Sequence, residues 1–161
     1  MKVRRGRTGW FALAVVGVVL GVPGVAAAGE GDLVDPRDVG ARLDLKALTH
    51  TEAAGSIVYT AETYGQFTDQ SAAFKWGIDR DSDEAFDLIV STEWQGGKLV
   101  GGVKDAAGRQ VATATVSRPA PTVIKVSFPA EVLGGASSYR YAANADGDSD
   151  DLAPNSGLIQ H

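Results

Sequence analysis

The stretch that decides the fold is residues 74–90, which read Phe74-Lys75-Trp76-Gly77-Ile78-Asp79-Arg80-Asp81-Ser82-Asp83-Glu84-Ala85-Phe86-Asp87-Leu88-Ile89-Val90. Apolar residues stand at every second position at both ends of this stretch, a period that is typical of a strand with one buried face. We therefore predict a β-hairpin with the inward side chains Phe74, Trp76, Ile78, Phe86, Leu88 and Val90. The acidic connection between its strands indicates either a solvated turn or a cation site.

The same alternation recurs along the rest of the chain. Short alternating runs lie near residues 42–46, 57–64, 99–103, 111–117, 123–128 and 138–143, separated by turns that contain Gly or Pro. Helical apolar spacing is missing over any ten residues, and only residues 129–134, with Pro first and Gly last, allow one short helix. We predict an all-β fold: a single antiparallel β-sandwich, jelly-roll or immunoglobulin-like, of about eight strands.

The first 28 residues have the three parts of an export signal. Basic residues precede an apolar run at 10–22, and three alanines end the segment at 26–28. An uncleaved membrane anchor is the alternative, because residues 8–29 carry no charge. Gly and Pro after the apolar run favour cleavage. We expect a secreted, extracellular chain whose mature part does not insert into membranes, with a polar leader at 29–40 and a β-sandwich domain at 41–157.

Charge and cysteine content narrow the class of partner. Without the signal, 11 basic residues face 20 acidic ones, a net charge of −9. So acidic a chain repels phosphate backbones, and nucleic acid is not an expected partner. The sequence has no cysteine, which excludes disulfides, thiol catalysis and Cys-ligated metal. The classes of partner that remain compatible with this composition are cations, basic proteins and neutral ligands such as sugars.

Two acidic turns share one spacing, with carboxylates at alternate positions. In chain order these carboxylates are Asp79, Asp81, Asp83, Asp146, Asp148 and Asp150. Hard cations take several carboxylate oxygens, so alternate side chains that converge in a tight loop predict Ca²⁺ as a cofactor. The alternative is that both turns are solvated hairpin tips, where Asp and Ser are common.

The leader adds acids of its own. If the first and last strands of the sandwich are neighbours, Asp35, Asp38 and residues 146–151 share one pole of the fold. The EF-hand pattern is not met in either turn, because other residues occupy the positions of its glycine and its bidentate glutamate. A calcium site here would therefore be of another kind.

Catalytic and haem motifs are missing from the sequence. His50 and His161 are the two histidines, and we expect a surface or turn position for the first and a frayed end for the second. No nucleophile elbow, zinc-protease motif or phosphate-cradling loop is present, so we expect neither an enzyme nor a nucleotide cofactor. Haem is not expected either, because the chain after the signal has no methionine to complete an axial pair.

Three aromatic residues near strand ends are candidates for ligand binding: Tyr64, Phe67 and Trp94. An amphipathic ring stacks on a sugar face while nearby acids accept hydrogen bonds from its hydroxyls. In the alternative, Trp94 continues the inward set of the second hairpin strand, and Tyr64 and Phe67 pack over the core from a loop.

Four patterns span most of the chain after the signal. They are Asp35-Pro36-Arg37-Asp38 before Leu43-Asp44-Leu45, the strand Phe74-x-Trp76-x-Ile78-Asp79, the acidic turn into Phe86-x-Leu88-x-Val90, and Tyr139-Arg140-Tyr141. Together they resemble exported DOMON-like and family-9-type carbohydrate-binding sandwiches. The resemblance implies a jelly-roll-like sandwich, often calcium-bearing, that binds sugar, haem or no known ligand. Haem ligands and paired exposed tryptophans are missing, so fold and calcium alone carry over.

Three functions follow from these observations. The first is an exported, calcium-stabilised binding or accessory module for cell-envelope polysaccharide or a partner protein. The second is a structural or protein-interaction domain without a small ligand, for which Ala112, Ala114 and Val116 would form an outward contact surface. The third is a glycan hydrolase, which needs a cleft with two acids about 5–10 Å apart.

Overall fold

A computed structural model describes residues 32–40, 42–67, 72–147 and 150–161. Eleven strands lie within these ranges: β1 (Leu33–Val34), β2 (Leu45–Ala53), β3 (Ser56–Thr63), β4 (Ala73–Asp79), β5 (Leu88–Gln95), β6 (Lys98–Asp105), β7 (Gln110–Ala120), β8 (Val123–Pro129), β9 (Arg140–Asp146), β10 (Asp151–Ala153) and β11 (Ile159–Gln160). One 3₁₀ turn, Ala130–Leu133, follows β8. The described ranges hold no α-helix, and no helix there is long and apolar enough to span a membrane. The all-β prediction with at most one short helix is confirmed.

The strands form one continuous antiparallel sheet rather than two separate layers. Their order is β1-β2-β3-β8-β7-β6-β5-β4-β9-β10, and β11 pairs with β9 off this path. Strand β7 joins the two halves, because its first part pairs with β6 and its second part with β8. Near the far end of the sheet, β10 lies against β2. The sheet thus curls into a nearly closed barrel of eleven strands, which corrects the prediction of an eight-strand sandwich.

The physical reason for the difference is the length and irregularity of β7. This strand runs for 11 residues, and its register shifts near its start against β6 and again near its end against β8, on either side of the point where it passes from one partner to the other. Such irregularities bend a strand and increase its twist, so one strand passes from one side of the fold to the other without a loop. In the sequence, prolines at 119 and 121 follow the alternating run at 111–117, so the pattern does not show that β7 continues to Ala120.

The core is filled by alternate side chains of the strands. The largest buried ones are Trp76, Tyr59, Tyr139, Tyr141, Phe67, Phe74 and Phe128. The ring of Tyr59 stacks parallel to Trp76, with centroids 6.0 Å apart, and lies 4.8 Å from the ring of Tyr141. The predicted inward positions of the hairpin are confirmed for Phe74, Trp76, Ile78, Leu88 and Val90, each at most 3% exposed.

Two predicted orientations are wrong. Phe86 is 39% exposed, because β5 begins only at Leu88 and residues 80–87 form a loop that lays the Phe86 ring over Gly77 on the outer surface. On β7 the residues predicted to face outward pack against the core, and Ala114 is 5% exposed. Small residues stand at alternate positions of β7 beside threonines, so polarity alone does not fix which face is buried.

The folded unit extends beyond the predicted domain limits at both ends. Strand β1 lies in the predicted leader and pairs with β2, and the backbone N–H of Asp35 donates to the carbonyl of Lys46 at 2.9 Å. At the other end, β11 lies past residue 157 and pairs with Arg140 and Tyr141. The predicted signal, residues 1–28, lies outside the described residues.

A candidate cation site at the barrel seam

Three elements meet where the barrel nearly closes, and each brings a carboxylate to the junction, which we call the seam. Asp35 follows β1, Asp44 precedes β2, and Asp151 is the first residue of β10. The Oδ2 atom of Asp151 accepts a hydrogen bond from the backbone N–H of Leu45 at 2.5 Å. This contact joins β10 to β2 across the seam.

The carboxylates of the seam are close together and mostly buried. One oxygen from each of Asp35, Asp38 and Asp151 lies within 4.8 Å of the others. Asp35 and Asp151 are 2% exposed and Asp44 is fully buried, whereas Asp38 is exposed. These four residues, Asp35, Asp38, Asp44 and Asp151, are called the seam cluster below.

Two oxygens of the seam cluster have no partner to offset their burial. Oδ2 of Asp35 and Oδ1 of Asp44 are buried without a hydrogen-bond partner among the described residues. The exposed side chain of Arg37 places Nε 3.9 Å from Oδ2 of Asp44, which is long for an ion pair. Burying an ionised carboxylate without compensation costs several kcal/mol. The cluster is therefore suited to a cation that binds to these oxygens.

The electrostatics of the cluster point the same way. Burial, together with the charges of Asp151, Asp38 and Asp44, raises the pKa of Asp35 to about 6. Burial also raises the pKa of Asp151, although the hydrogen bond from Leu45 opposes the shift. A bound cation reverses this repulsion, because it favours the charged form of each carboxylate.

Neighbouring side chains hold the cluster in place. The hydroxyl of Tyr64 donates to the carbonyl oxygen of Asp35 at 3.0 Å, and Nδ2 of Asn155 donates to Oδ2 of Asp38 at 2.6 Å. The backbone N–H of Gly40 donates to Oδ2 of Asp44 at 2.9 Å. The exposed side at Asp38 leaves room for water, which commonly completes the shell of a calcium ion.

The first predicted turn is already satisfied by protein donors. Asp79 is fully buried, and its Oδ2 accepts from Nη2 of Arg140 at 2.5 Å. The backbone N–H groups of Ser82 and Glu84 donate to the same carboxylate at 2.7 and 3.1 Å. Asp79 thus acts as the anchor of its loop.

The other acids of that turn are arranged differently from the prediction. Asp81 and Asp83 are exposed, and Asp83 caps the backbone N–H of Ala85 at 2.8 Å. The carboxylates that approach within 4.8 Å of one another are those of Asp79, Asp81 and Asp87, a set without Asp83. The predicted trio does not converge on one point.

The described carboxylates of the second predicted turn lie outside the seam cluster, but Asp151, the residue that follows this turn, belongs to it. Asp146 pairs with Lys75 at 3.1 Å on the surface, Asp150 is exposed, and Asp148 lies outside the described residues. The buried member is Asp151, the next residue along the chain. The expected meeting of the leader acids with residues 146–151 is found, at Asp35, Asp38 and Asp151.

Sequence reasoning missed Asp44 as a member of the site. Alternation between Leu43 and Leu45 predicts a solvated Asp44, yet all three residues are buried. Regular pairing of β2 is interrupted by a register shift between Leu45 and Ala47, so the alternation does not apply before it. No local signal in the sequence announces this irregularity.

The three predicted aromatic residues do not form one exposed platform. Phe67 is 1% exposed and packs edge-on against Phe74, with centroids 4.9 Å apart. Trp94 is partly buried and continues the alternation of Leu88 and Val90 on β5. Tyr64 alone of the three is exposed, at 37%, and it lies beside the seam cluster.

Comparison with known proteins identifies no relative from which residues of this site could be assigned. The resemblance to DOMON-like and family-9-type carbohydrate-binding sandwiches therefore stays a prediction that rests on its four sequence patterns alone. No protein family, no curated protein and no solved structure matches this chain.

Proposed function

We propose that this chain is an exported binding or accessory module whose barrel is closed by a Ca²⁺ ion in the seam cluster. The observation that carries the proposal is the buried Oδ2 of Asp35, which has no partner in the described part of the chain, in a carboxylate that lies close to those of Asp38 and Asp151. Oxygen-only donors suit a hard cation. Calcium tolerates irregular geometry, whereas magnesium demands a nearly ideal octahedron.

The bound ion would neutralise the carboxylates of the seam cluster and would also stabilise the closure of the barrel. At the seam β10 is joined to the start of β2 by the hydrogen bond from Leu45 to Asp151, and the carboxylates of the seam cluster repel one another. A cation bound by Asp35 and Asp151 converts that repulsion into a link between the two edges of the sheet. Extracellular calcium modules work at affinities of roughly 10⁻⁴–10⁻³ M, which suits an exported chain.

The proposed ligand is a cell-envelope polysaccharide, contacted at Tyr64. Its ring is exposed beside the seam cluster, and the guanidinium of Arg37 lies 5.7 Å from the ring centroid. Exposed Asp38 is a neighbour able to accept hydrogen bonds from sugar hydroxyls. Calcium would then hold the sugar-binding loop in one conformation.

A protein-interaction domain is the second candidate function, and a groove on the outer surface favours it. The groove has a volume of about 230 Å³ and lies between β5, β4, β9 and β10. Phe86 and Leu152, 39% and 46% exposed, border it together with Ile89 and Ala142. An apolar rim of this kind is typical of a contact surface.

Thermal unfolding with calcium and with EGTA tests the metal part of the proposal. Saturation at 100 times the dissociation constant should add about 2.7 kcal/mol to the free energy of unfolding. Asp35→Asn and Asp151→Asn should abolish this gain, and Asp35→Asn should raise the stability of the metal-free protein because it removes repulsion. Asp81→Asn, in the other acidic turn, is the control and should keep the gain. Equal midpoints in calcium and EGTA would refute the site.

A polysaccharide pull-down tests the ligand separately. Retention of the wild-type protein on isolated cell-envelope polysaccharide, and its loss in Tyr64→Ala, is the expected result. A protein that responds to calcium but is not retained would leave the metal site standing and remove the sugar ligand. Self-association or capture of an envelope protein through the Phe86 groove would then support the second function.

A further inference from the structure

The two histidines of the chain meet at a second polar cluster. His50 lies on β2, five residues beyond Leu45, and His161 follows β11. Their ring centroids are 3.9 Å apart, at an interplanar angle of 62°. His50 is 7% exposed and lies within β2, so the predicted surface or turn position is wrong. His161 is not frayed, because its backbone exchanges two hydrogen bonds with that of Tyr139.

A carboxylate joins the two imidazoles. Oε1 of Glu52 lies 3.4 Å from Nε2 of His161 and 4.0 Å from Nε2 of His50. One ligating atom from each of the three residues lies within 4.8 Å of the others. Ligands around a tetrahedral ion with bonds of about 2.0–2.1 Å are roughly 3.4 Å apart. A small contraction of this cluster would therefore bring the three side chains to metal-binding distance.

Aromatic hydroxyls and rings surround the histidines. The hydroxyl of Tyr139, 1% exposed, lies 2.6 Å from Nε2 of His50. The same Nε2 atom of His50 lies 4.0 Å from Glu52, so a metal ion bound to it would replace the hydrogen bond with Tyr139. Nδ1 of His161 is buried without a hydrogen-bond partner in the described ranges. One ring is thus oriented by the protein, and the other carries an unused donor or acceptor.

We propose that His50, Glu52 and His161 form a binding site for a transition-metal ion, separate from the calcium site of the seam. Two imidazole nitrogens and one carboxylate oxygen are a ligand set that suits Zn²⁺, whereas the carboxylates of the seam cluster suit a hard cation. Three protein ligands leave a fourth position for water or another small ligand. The ion would also link His161 to β2. This inference does not depend on the proposed function.

Zinc binding to the full chain tests the site. After removal of metal with a chelator, isothermal titration with Zn²⁺ should give one ion per chain. His161→Gln and Glu52→Gln should each weaken zinc binding by at least about tenfold. Loss of a residue that only hydrogen-bonds to a metal ligand already lowers affinity by about that factor, and these two residues are proposed as ligands themselves. Both side chains are partly exposed, so these variants are expected to fold. Glu131→Gln, on the exposed face of the 3₁₀ turn, and Asp35→Asn are the controls and should bind zinc as the wild type does.

A second measurement needs no variant. Because the chain has two histidines, long-range ¹H–¹⁵N spectra of the imidazoles contain two rings. Both rings should shift together with the first equivalent of zinc, and EDTA should reverse the change. Unshifted rings, or zinc affinities equal in wild type, His161→Gln and Glu52→Gln, would overturn the proposal, since binding would then be absent or lie elsewhere on this acidic chain.

Discussion

At the scale of single residues, two buried aspartates have opposite environments. Burial alone would raise the pKa of Asp79, but hydrogen bonds from Arg140 and from the backbone of Ser82 and Glu84 outweigh it and lower the pKa. Ser82 and Glu84 have positive φ angles of 66° and 73°, so the loop adopts an uncommon conformation that aims their N–H groups at Asp79. The carboxylate of Asp35 is surrounded by other carboxylates, whereas that of Asp79 is surrounded by hydrogen-bond donors. The first is suited to a bound cation, and the second is satisfied without one.

Asp79→Asn should therefore destabilise the protein. We expect a loss of about 3 kcal/mol at neutral pH, the low end for breaking a buried ion pair, because the guanidinium of Arg140 loses its counter-charge. A lowered pKa gives stability that is complete above the unfolded value of 3.8 and is lost as the pH falls through the folded value. Urea unfolding at pH 7 and at pH 3 should show the difference between wild type and variant shrinking in acid.

The control for Asp79 is Asp83→Asn in the same loop. Asp83 is exposed and caps one backbone N–H, a role that an asparagine oxygen also fills. Its effect on the free energy of unfolding should stay within about 0.5 kcal/mol at both pH values. Equal losses in the two variants would show that the loop depends on net charge rather than on the pair with Arg140.

Trp76 is the residue whose truncation should cost most. It is fully buried and stacks on Tyr59, so Trp76→Ala should lower the free energy of unfolding by about 3–5 kcal/mol. Its Nε1 has no hydrogen-bond partner in the region the structure describes, so Trp76→Phe keeps an aromatic ring and removes an unsatisfied donor. Denaturant titration should therefore rank Trp76→Phe well above Trp76→Ala. A large loss in Trp76→Phe would mean that Nε1 has a partner.

At the scale of elements, turn chemistry and glycine contacts shape the strands. The β5–β6 hairpin closes at Gly96-Gly97, both with positive φ, which matches the twist of a two-residue hairpin turn. Gly101 and Gly102, adjacent on β6, differ in their surroundings. A methyl group on Gly101 would lie 2.5 Å from Cγ2 of Val116 on β7, whereas on Gly102 its nearest neighbour would be the Gln110 side chain at 3.5 Å.

These two glycines form a matched pair for mutation. Gly101→Ala should destabilise the protein by about 1–3 kcal/mol, because β6 and β7 approach too closely for the added methyl group. Gly102→Ala should be neutral or stabilise by up to about 1 kcal/mol, since it restricts the unfolded chain without a clash. Denaturant titration of both variants checks this. Equal effects would mean that packing against Val116 does not limit β6.

At the scale of the whole molecule, stability is expected to be weakest at the seam. Removal of the calcium ion proposed for the seam cluster should speed amide exchange of residues 33–38 and 151–153, because their carboxylates then repel one another, while β4 and β5 remain protected. Hydrogen exchange followed by mass spectrometry, with calcium and with EGTA, measures this. The Asp151→Asn variant should show no calcium dependence. A change spread evenly over the barrel, or none, would contradict a local role for the ion.

The sequence by itself determined the eight longer strands, β2 to β9, and most of their inward faces. Alternation identified Phe74, Trp76, Leu88 and Val90 as core residues, because the hydrophobicity of a side chain and the period of a strand are local properties. It was wrong at Phe86, where a loop interrupts the alternation, and it missed the buried Asp44 beside a register shift. Local patterns fail where the backbone departs from regular pairing.

The tertiary structure alone decided which distant residues meet. Asp151 bonds to Leu45 across 106 positions of the chain, and the ring of His161 packs edge-on against that of His50. Several strand orders bury the same alternating faces, so the pattern does not select a nearly closed barrel over a sandwich. Closure through β7 and the meeting of β10 with β2 assemble both candidate metal sites. Strand identity is therefore set by local sequence, whereas the sites are set by strand order and closure.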